Sequence, residues 1–153
     1  RPARLILLGE GPLRPALQSQ AHGLGVADDI ALPGHVDDVY PWFAHASAFA
    51  LSSHHEGLPL VLIEALACGC PVVSTDCPSG PAEILDGGRH GVLVPPGDPA
   101  ALASALGRVL DAPPAPEAGR ARAARFGAQR AAQAYLGVLL GADARPAAMV
   151  SPA

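Results

Sequence analysis

Five short apolar runs, each separated from the next by a stretch with helical spacing, limit the fold of this 153-residue chain more than any other feature. The runs are Arg4–Leu8, Ile30–Pro33, Ala48–Ser52, Val72–Ser74 and Gly91–Val94. Strands this apolar are typical of parallel sheets that helices cover on both faces. The pattern therefore predicts a doubly wound, Rossmann-like α/β domain.

The segments between the runs predict the helices of this domain from their periodicity and from Pro and Gly at their ends. The expected helices are Leu13–Leu24, Val36–Phe43, Pro59–Ala67, Pro81–Leu85, Ala100–Leu110 and Glu117–Leu140. Residues 1–140 are then one domain. We expect residues 141–153 to be a disordered tail.

Composition excludes several classes of function. All ten basic residues are Arg and the net charge is −4, which argues against a nucleic-acid groove and against a polybasic membrane anchor. No apolar run reaches the length of a membrane span and no signal peptide is visible, so we expect a cytoplasmic protein. The odd set Cys68, Cys70 and Cys77 lacks the paired spacing of a zinc site and predicts small buried residues.

Two carboxylates give the best indication of a ligand site. Glu56 lies in a glycine loop, and Glu64 follows eight residues later inside an apolar helical run. Burying a polar group without a partner costs roughly 2 kcal/mol or more, and no basic residue stands near Glu64 in sequence. We therefore expect Glu64 to be buried and to receive hydrogen bonds from the hydroxyl groups of a ligand.

The loops that follow the strands should meet at one edge of the sheet, because ligands of open parallel sheets bind beyond the carboxyl ends of the strands. These loops are Gly9–Pro12, Gly34–Val36 and His54–Leu60. Glycines such as Gly11 let the backbone approach a ligand closely, and the helix near Pro59 offers free N–H groups to a phosphate.

The spacing of Glu56 and Glu64 does not suit a glycosidase. Eight helical residues rise by about 12 Å, whereas paired glycosidase carboxyls lie roughly 5 to 9.5 Å apart. An elongated ligand held at two ends fits better, and a nucleotide diphosphate sugar has that order of groups. A Glu at each end of a short helix without any function remains an open alternative.

The sequence resembles the C-terminal, donor-binding half of the retaining GT-B glycosyltransferases of family 4, also called glycosyl transferases group 1. The resemblance runs from about Leu5 to Leu140. Its motifs are Leu8-Gly-Glu-Gly-Pro12, Leu32-Pro-Gly-His-Val36, Gly69-Cys-Pro-Val-Val73, Gly91-Val-Leu-Val94 and the long E-x7-E segment Leu51-Ser-Ser-His-His-Glu-Gly-Leu-Pro-Leu-Val-Leu-Ile-Glu-Ala-Leu-Ala67.

The resemblance implies roles for residues at the matching positions. Glu64 would bind the ribose hydroxyls, and Glu56 would be the catalytic residue that contacts the donor sugar. The sugar and the diphosphate would be approached by the backbone of Gly57, Leu58, Pro59 and Leu60. The base would be bordered by the turn formed by Gly34, His35 and Val36.

The resemblance also implies the reaction. A hexosyl or N-acetylhexosaminyl group would pass from a nucleotide diphosphate sugar to a hydroxyl acceptor with retention, without a cofactor or a metal. The segment from Val73 to Pro81 is similar to members that build bacterial surface and lipid-linked glycans from UDP-sugars. Such an enzyme works in the cytoplasm, in some cases as a peripheral protein at the inner membrane face.

The chain departs from the family pattern in three respects. Family members carry an Arg and a Lys ahead of this region that neutralise the diphosphate, and this chain contains no Lys. The acceptor-binding N-terminal domain and the first strand of this half are missing, and Ala82 stands where similar members have Arg. We therefore expect a fragment of a larger enzyme, which is inactive alone and binds donor weakly.

Two alternatives remain open. A nucleotide-sugar epimerase of the GT-B fold would release product without an acceptor. The second alternative is a non-catalytic nucleotide-binding module. In that case the upstream reading frame would not encode an α/β domain with the Arg and Lys.

Overall fold

The computed structural model describes residues 2–141, and the chain divides after Val39 into two compact units. The expected disordered tail, apart from Gly141, lies outside the described residues. No helix in the described part of the chain is long and apolar enough to cross a membrane.

The first unit is a strand–helix–strand unit. Its elements are β1 (Leu5–Leu8), α1 (Arg14–Gly23), a 3₁₀ turn (Ala27–Asp29) and β2 (Ile30–Gly34). The two strands are parallel, with Leu5 paired to Ile30 and Leu8 to Gly34, and the register shifts by one residue between these pairs. The carboxyl ends of β1 and β2 therefore lie side by side.

The second unit contains a three-stranded parallel sheet in the order β3-β4-β5. Its elements are α2 (Tyr40–His45), β3 (Phe49–Leu51), α3 (Leu60–Ala67), β4 (Val72–Thr75), α4 (Pro81–Ile84), β5 (Val92–Val94), α5 (Pro99–Asp111), α6 (Pro116–Ala123) and α7 (Ala128–Leu140). Strand β4 is central, and all four of its residues are buried. A central strand of a parallel sheet is covered on both faces, and the burial of β4 therefore includes the polar Ser74 and Thr75 as well as Val72 and Val73.

The core of the second unit forms where α5 packs on the sheet. Val73 and Val94 from the strands contact Ala105 and Val109 from the helix. Asp98 caps α5, because its carboxylate accepts a hydrogen bond of 2.9 Å from the Ala101 amide. Such a cap contributes about 1 kcal/mol to helix stability.

Two predicted helices have different boundaries in the structure. The helix expected from Val36 begins at Tyr40, with Pro41 in its first turn, where proline is favoured because that turn needs no N–H donor. The helix expected over Glu117–Leu140 is two helices, because Gly127 between them has an extended conformation (φ −62°, ψ 147°). Glycine has a low helix propensity, so little energy is lost by the break.

The Arg-rich stretch from Arg120 to Arg130 is partly structural. Arg122 donates hydrogen bonds to the carbonyl oxygens of Ile84 (2.8 Å) and Glu83, and its guanidinium stacks over Phe126. Arg122 thus ties α6 to the end of α4.

Candidate functional site

The loop that joins β3 to α3, residues 52–59, is called the α3 loop below and carries most of the predicted site residues of the second unit. It ends at Pro59, which is buried and extended and stands just before α3 begins at Leu60. In the part of the chain that the structure describes, no side chain caps this helix start. The first amides of α3 therefore lack a helical partner, while Leu58 and Leu60 are 47% and 60% exposed.

Glu56 is held in place by hydroxyl groups from two elements. The Ser53 hydroxyl donates a 2.7 Å hydrogen bond to Glu56 Oε1. The hydroxyl of the buried Thr75, at the end of β4, donates in turn to the carbonyl oxygen of Ser53 at 2.5 Å. Strand β4 therefore fixes the backbone that presents Ser53, and Ser53 orients the carboxylate of Glu56.

Gly80 supports the other end of the α3 loop. Its φ of +84° is strained for any residue with a side chain. A Cβ atom built on Gly80 would lie 2.4 Å from Pro59 Cδ and 2.6 Å from the Gly57 carbonyl oxygen. Only glycine therefore allows the backbone of residues 57–59 to approach this close.

Glu64 lies on α3 and is partly buried rather than fully buried, so the expectation of a buried acid is wrong in degree. The helix is apolar on all sides, but only Leu62, Ala65 and Leu66 are buried, and Val61 is 38% exposed. The sequence did not show which face of this helix would be covered. Within residues 2–141, no group forms a hydrogen bond or ion pair with the Glu64 carboxylate.

The first unit holds the other predicted site residues. Gly34 ends β2 with φ +90° and is buried, and its carbonyl oxygen accepts a 2.7 Å hydrogen bond from the Gly9 amide. His35 is exposed and lies 3.6 Å from Asp37 Oδ1. A side chain at Gly11 would meet open space.

Within the first unit, the Gly9–Pro12 loop and the turn Gly34–Val36 are thus neighbours, as predicted. We call residues 34–36 the Gly34 turn. Within the second unit, the α3 loop carries Glu56, Gly57, Leu58 and Pro59, and α3 carries Leu60 and Glu64. That the site residues of the first unit and those of the second unit form one site stays a prediction.

Several residues at these loops were not identified from the sequence. Ser53 stands three residues before Glu56, and a polar pair at that spacing in a loop is a signal for a local hydrogen bond. Thr75 carried no such signal, because its contact with Ser53 spans 22 residues of sequence. The ion pair of Glu10 and Arg14, described below, has a spacing of four residues at the start of a helix and was visible in principle.

A cavity of about 360 Å³ opens elsewhere in the second unit. Its lining includes Pro71 and Val72 at the start of β4, Val92 at the start of β5, and Val109 of α5. Ligands of parallel sheets bind at the carboxyl ends of strands, and this cavity lies at the amino ends. It is therefore separate from the α3 loop.

Among the residues that the structure describes, no cysteine forms a disulfide; Cys70 and Cys77 are buried as expected, whereas Cys68 is only partly buried. Burial, and then the neighbouring Cys68, raises the pKa of Cys70 to about 11, so this thiol stays protonated at neutral pH. Within residues 2–141, no three His, Cys, Asp or Glu side chains cluster as metal ligands would.

Comparisons with known proteins match the chain to one family. The family model described as glycosyl transferases group 1 covers residues 1–112. The chain is 42% identical over 108 residues to the exopolysaccharide phosphotransferase SCO2592 of Streptomyces coelicolor, covering 70% of this chain and 12% of that protein. It is 38% identical over 106 residues to the lipopolysaccharide core biosynthesis glycosyltransferase LpsE of Rhizobium meliloti, covering 69% and 31%.

A solved structure shows the same fold. HepE of Anabaena, crystallised in complex with UDP, superposes with a TM-score of 0.76 at 23% identity, over 92% of this chain and 41% of that one. This likeness confirms the Rossmann-like α/β fold class of the GT-B proteins. The chain spans less than half the length of each of these three proteins. With the family model matching most of its length, the chain belongs to the glycosyl transferases group 1 family.

Proposed function

We propose that this chain binds the nucleotide diphosphate sugar donor of a retaining glycosyltransferase, and that the donor is a UDP-hexose or a UDP-N-acetylhexosamine. Family membership supports the donor class, and the UDP bound to HepE, a protein of the same fold, supports the nucleotide. The names of SCO2592 and LpsE support a role in bacterial surface or lipid-linked glycan synthesis.

The observation that carries this proposal is the Glu64 carboxylate, which is partly buried in an apolar helix and has no partner among residues 2–141. A partly buried carboxylate without a protein partner among these residues can accept hydrogen bonds from the hydroxyl groups of a ligand. Two vicinal ribose hydroxyls provide two donors for two carboxylate oxygens. We assign Glu64 to the ribose for this reason.

The start of α3 is suited to the diphosphate. The amides of Leu60 and Val61 have no helical acceptor, and no side chain caps them. A helix start carries a partial positive charge that favours anions. The α3 loop adds the amides of Gly57 and Leu58, which lie between the two carboxylates in sequence.

Glu56 then acts at the sugar. With its carboxylate oriented by Ser53, Glu56 positions the hexose and stabilises positive charge that develops at the anomeric carbon. The bond from that carbon to the diphosphate oxygen breaks as the acceptor oxygen bonds on the same face. The electron pair leaves with the diphosphate, which takes the acceptor proton, and the configuration is retained without metal or cofactor.

The complete reaction needs a second domain. Because the chain spans 12% to 41% of its relatives and contains no Lys, we propose that an N-terminal acceptor domain of the same enzyme supplies the acceptor site, and that a strand and loop ahead of this region supply the Arg and Lys for the diphosphate. The chain alone is then inactive and binds donor weakly. We place the enzyme in the cytoplasm, at the inner membrane face where the acceptor is lipid-linked.

The test is an NMR titration of the ¹⁵N-labelled chain with UDP-, GDP- and ADP-sugars at millimolar concentration. We expect UDP-sugars to shift the amide signals of Gly57, Leu58 and Leu60, and Glu64→Ala to weaken binding by about 30-fold, as loss of hydrogen bonds to a charged group worth about 2 kcal/mol requires.

Glu117→Ala is the matched control, because Glu117 is also a helical Glu of the second unit but is exposed in the first turn of α6. Its substitution leaves UDP-sugar affinity unchanged. Equal affinity in Glu64→Ala and the wild-type chain would contradict the ribose assignment. Shifts spread away from the α3 loop would contradict the donor site itself.

A further inference from the structure

An ion pair in the first unit braces the Gly34 turn. Arg14, the first residue of α1, donates from Nε to Glu10 Oε2 at 2.8 Å and from Nη2 to Glu10 Oε1 at 2.6 Å. Its remaining Nη1 donates to the carbonyl oxygen of Leu32 at 3.1 Å. One guanidinium therefore ties the loop after β1 to strand β2, two residues before Gly34. We call this arrangement the Glu10–Arg14 clamp.

The carboxylate of the clamp lies directly against Gly34. A Cβ atom at Gly34 would lie 2.8 Å from Glu10 Oε1, and the residue has φ +90°. On the backbone side, Gly34 accepts the 2.7 Å hydrogen bond from the Gly9 amide. Gly34 is thus held from the segment that follows β1, by the main chain at Gly9 and by the side chains of Glu10 and Arg14.

The clamp contributes little to stability, because the Glu10 side chain is 56% exposed and that of Arg14 is 26% exposed. An exposed ion pair is screened by water and salt, and it holds two long side chains at an entropic cost. A bidentate pair instead adds geometric definition, since two parallel hydrogen bonds fix the plane of both groups. The clamp therefore fixes the path of the backbone into the Gly34 turn.

We propose that the Glu10–Arg14 clamp positions the Gly34 turn for the base of the nucleotide, so that Glu10 and Arg14 set base affinity without touching the ligand. This inference rests on the proposed function, which places the base beside Gly34, His35 and Val36. A turn already held in its bound conformation binds without an ordering cost. A turn that is competent about a tenth of the time binds about tenfold more weakly.

The experiment compares Arg14→Gln and Arg14→Lys with the wild-type chain by NMR titration with two ligands. UDP carries the base, whereas ribose 5-phosphate carries the ribose and a phosphate without it. In Arg14→Gln we expect UDP affinity to fall about tenfold and ribose 5-phosphate affinity to stay the same. Arg14→Lys behaves like Arg14→Gln, because an ammonium group keeps the charge but not the fork geometry.

The matched control is Arg108→Gln. Arg108 is an exposed helical Arg that also bonds a residue four positions earlier, the hydroxyl of Ser104 at 2.9 Å. Its loss should change neither affinity. Urea denaturation of each variant accompanies the titrations, and we expect the Arg14→Gln midpoint to match that of wild type.

The outcomes separate this inference from the proposed function. If UDP shifts the wild-type amides of Gly57 and Leu58 but not those of Gly34 to Val36, the donor site stands and the clamp inference is wrong. The clamp inference is also overturned if Arg14→Gln loses affinity for UDP and for ribose 5-phosphate equally. Full UDP affinity in Arg14→Lys overturns it as well. If UDP shifts neither set of amides, the proposed function fails and the clamp inference fails with it.

Discussion

The α3 loop and the Gly34 turn both follow parallel strands, but they are held by different chemistry. The α3 loop is fixed by the buried hydroxyl of Thr75 and by close backbone packing against Gly80. The Gly34 turn is fixed by an ion pair whose carboxylate is more than half exposed. One anchor belongs to the interior of its unit, and the other lies in contact with water.

The difference predicts how each loop responds to its surroundings. Hydrogen bonds in a low-dielectric interior are not screened, whereas exposed ion pairs weaken with salt. A residue that holds sugar and diphosphate during a reaction needs a constant position. A turn that borders the base needs only to be ordered well enough to bind one ligand in preference to others.

Gly80→Ala is the strongest test of the interior anchor. The new Cβ meets Pro59 and Gly57 at a positive φ, so we expect the free energy of unfolding to fall by about 3 kcal/mol. Urea denaturation measures the change. Gly107→Ala is the control, because Gly107 lies in α5 with open space around it and Ala there should stabilise the protein by about 0.5 to 1 kcal/mol. An unchanged Gly80→Ala midpoint would show that the α3 loop is not tightly packed.

Thr75→Val removes the hydroxyl that bonds Ser53 while keeping the shape of the buried side chain. We expect a loss of about 1 to 2 kcal/mol in the free energy of unfolding, since the Ser53 carbonyl is left without this donor. The loss should be the same in low salt and in about 0.5 M NaCl, where the Debye length falls well below 10 Å. A salt-dependent loss would argue against a buried anchor.

Ser53→Ala separates sugar binding from nucleotide binding. The Glu56 carboxylate loses its 2.7 Å hydrogen bond, so we expect affinity for a UDP-hexose to fall about fivefold, which corresponds to about 1 kcal/mol. Affinity for UDP should not change, because Glu64 and the start of α3 are intact. Titration calorimetry with both ligands measures this split. Equal losses for UDP and the UDP-hexose would mean that Ser53 supports the loop as a whole.

Acid should loosen the Gly34 turn alone. The hydrogen bonds from Arg14 lower the pKa of Glu10 below its ordinary value, so the Glu10–Arg14 clamp is fully formed above that ordinary pKa. It is lost as the pH falls through the lowered folded-state value. The amide signal of Gly34 in a pH titration reports this loss. Arg14→Gln should move the midpoint upward, and an identical midpoint in that variant would refute the assignment.

The strands were predictable because their apolar runs are short and bounded by turn residues, and every run overlaps an observed strand to within one residue at each end. The break at Gly127 was missed because a single glycine does not by itself end a helix. The exposure of Glu64 depends on which face of α3 the rest of the unit covers. The partners of Glu56 depend on Thr75, which no local pattern relates to Ser53.

The most direct measurement is a crystal structure of the chain with UDP. The account predicts that the two ribose hydroxyls donate to the Glu64 carboxylate over roughly 2.5 to 3.0 Å, with the diphosphate at the start of α3. A nucleotide that leaves Glu64 bound only to water, or that occupies the cavity at the amino ends of β4 and β5, would contradict it.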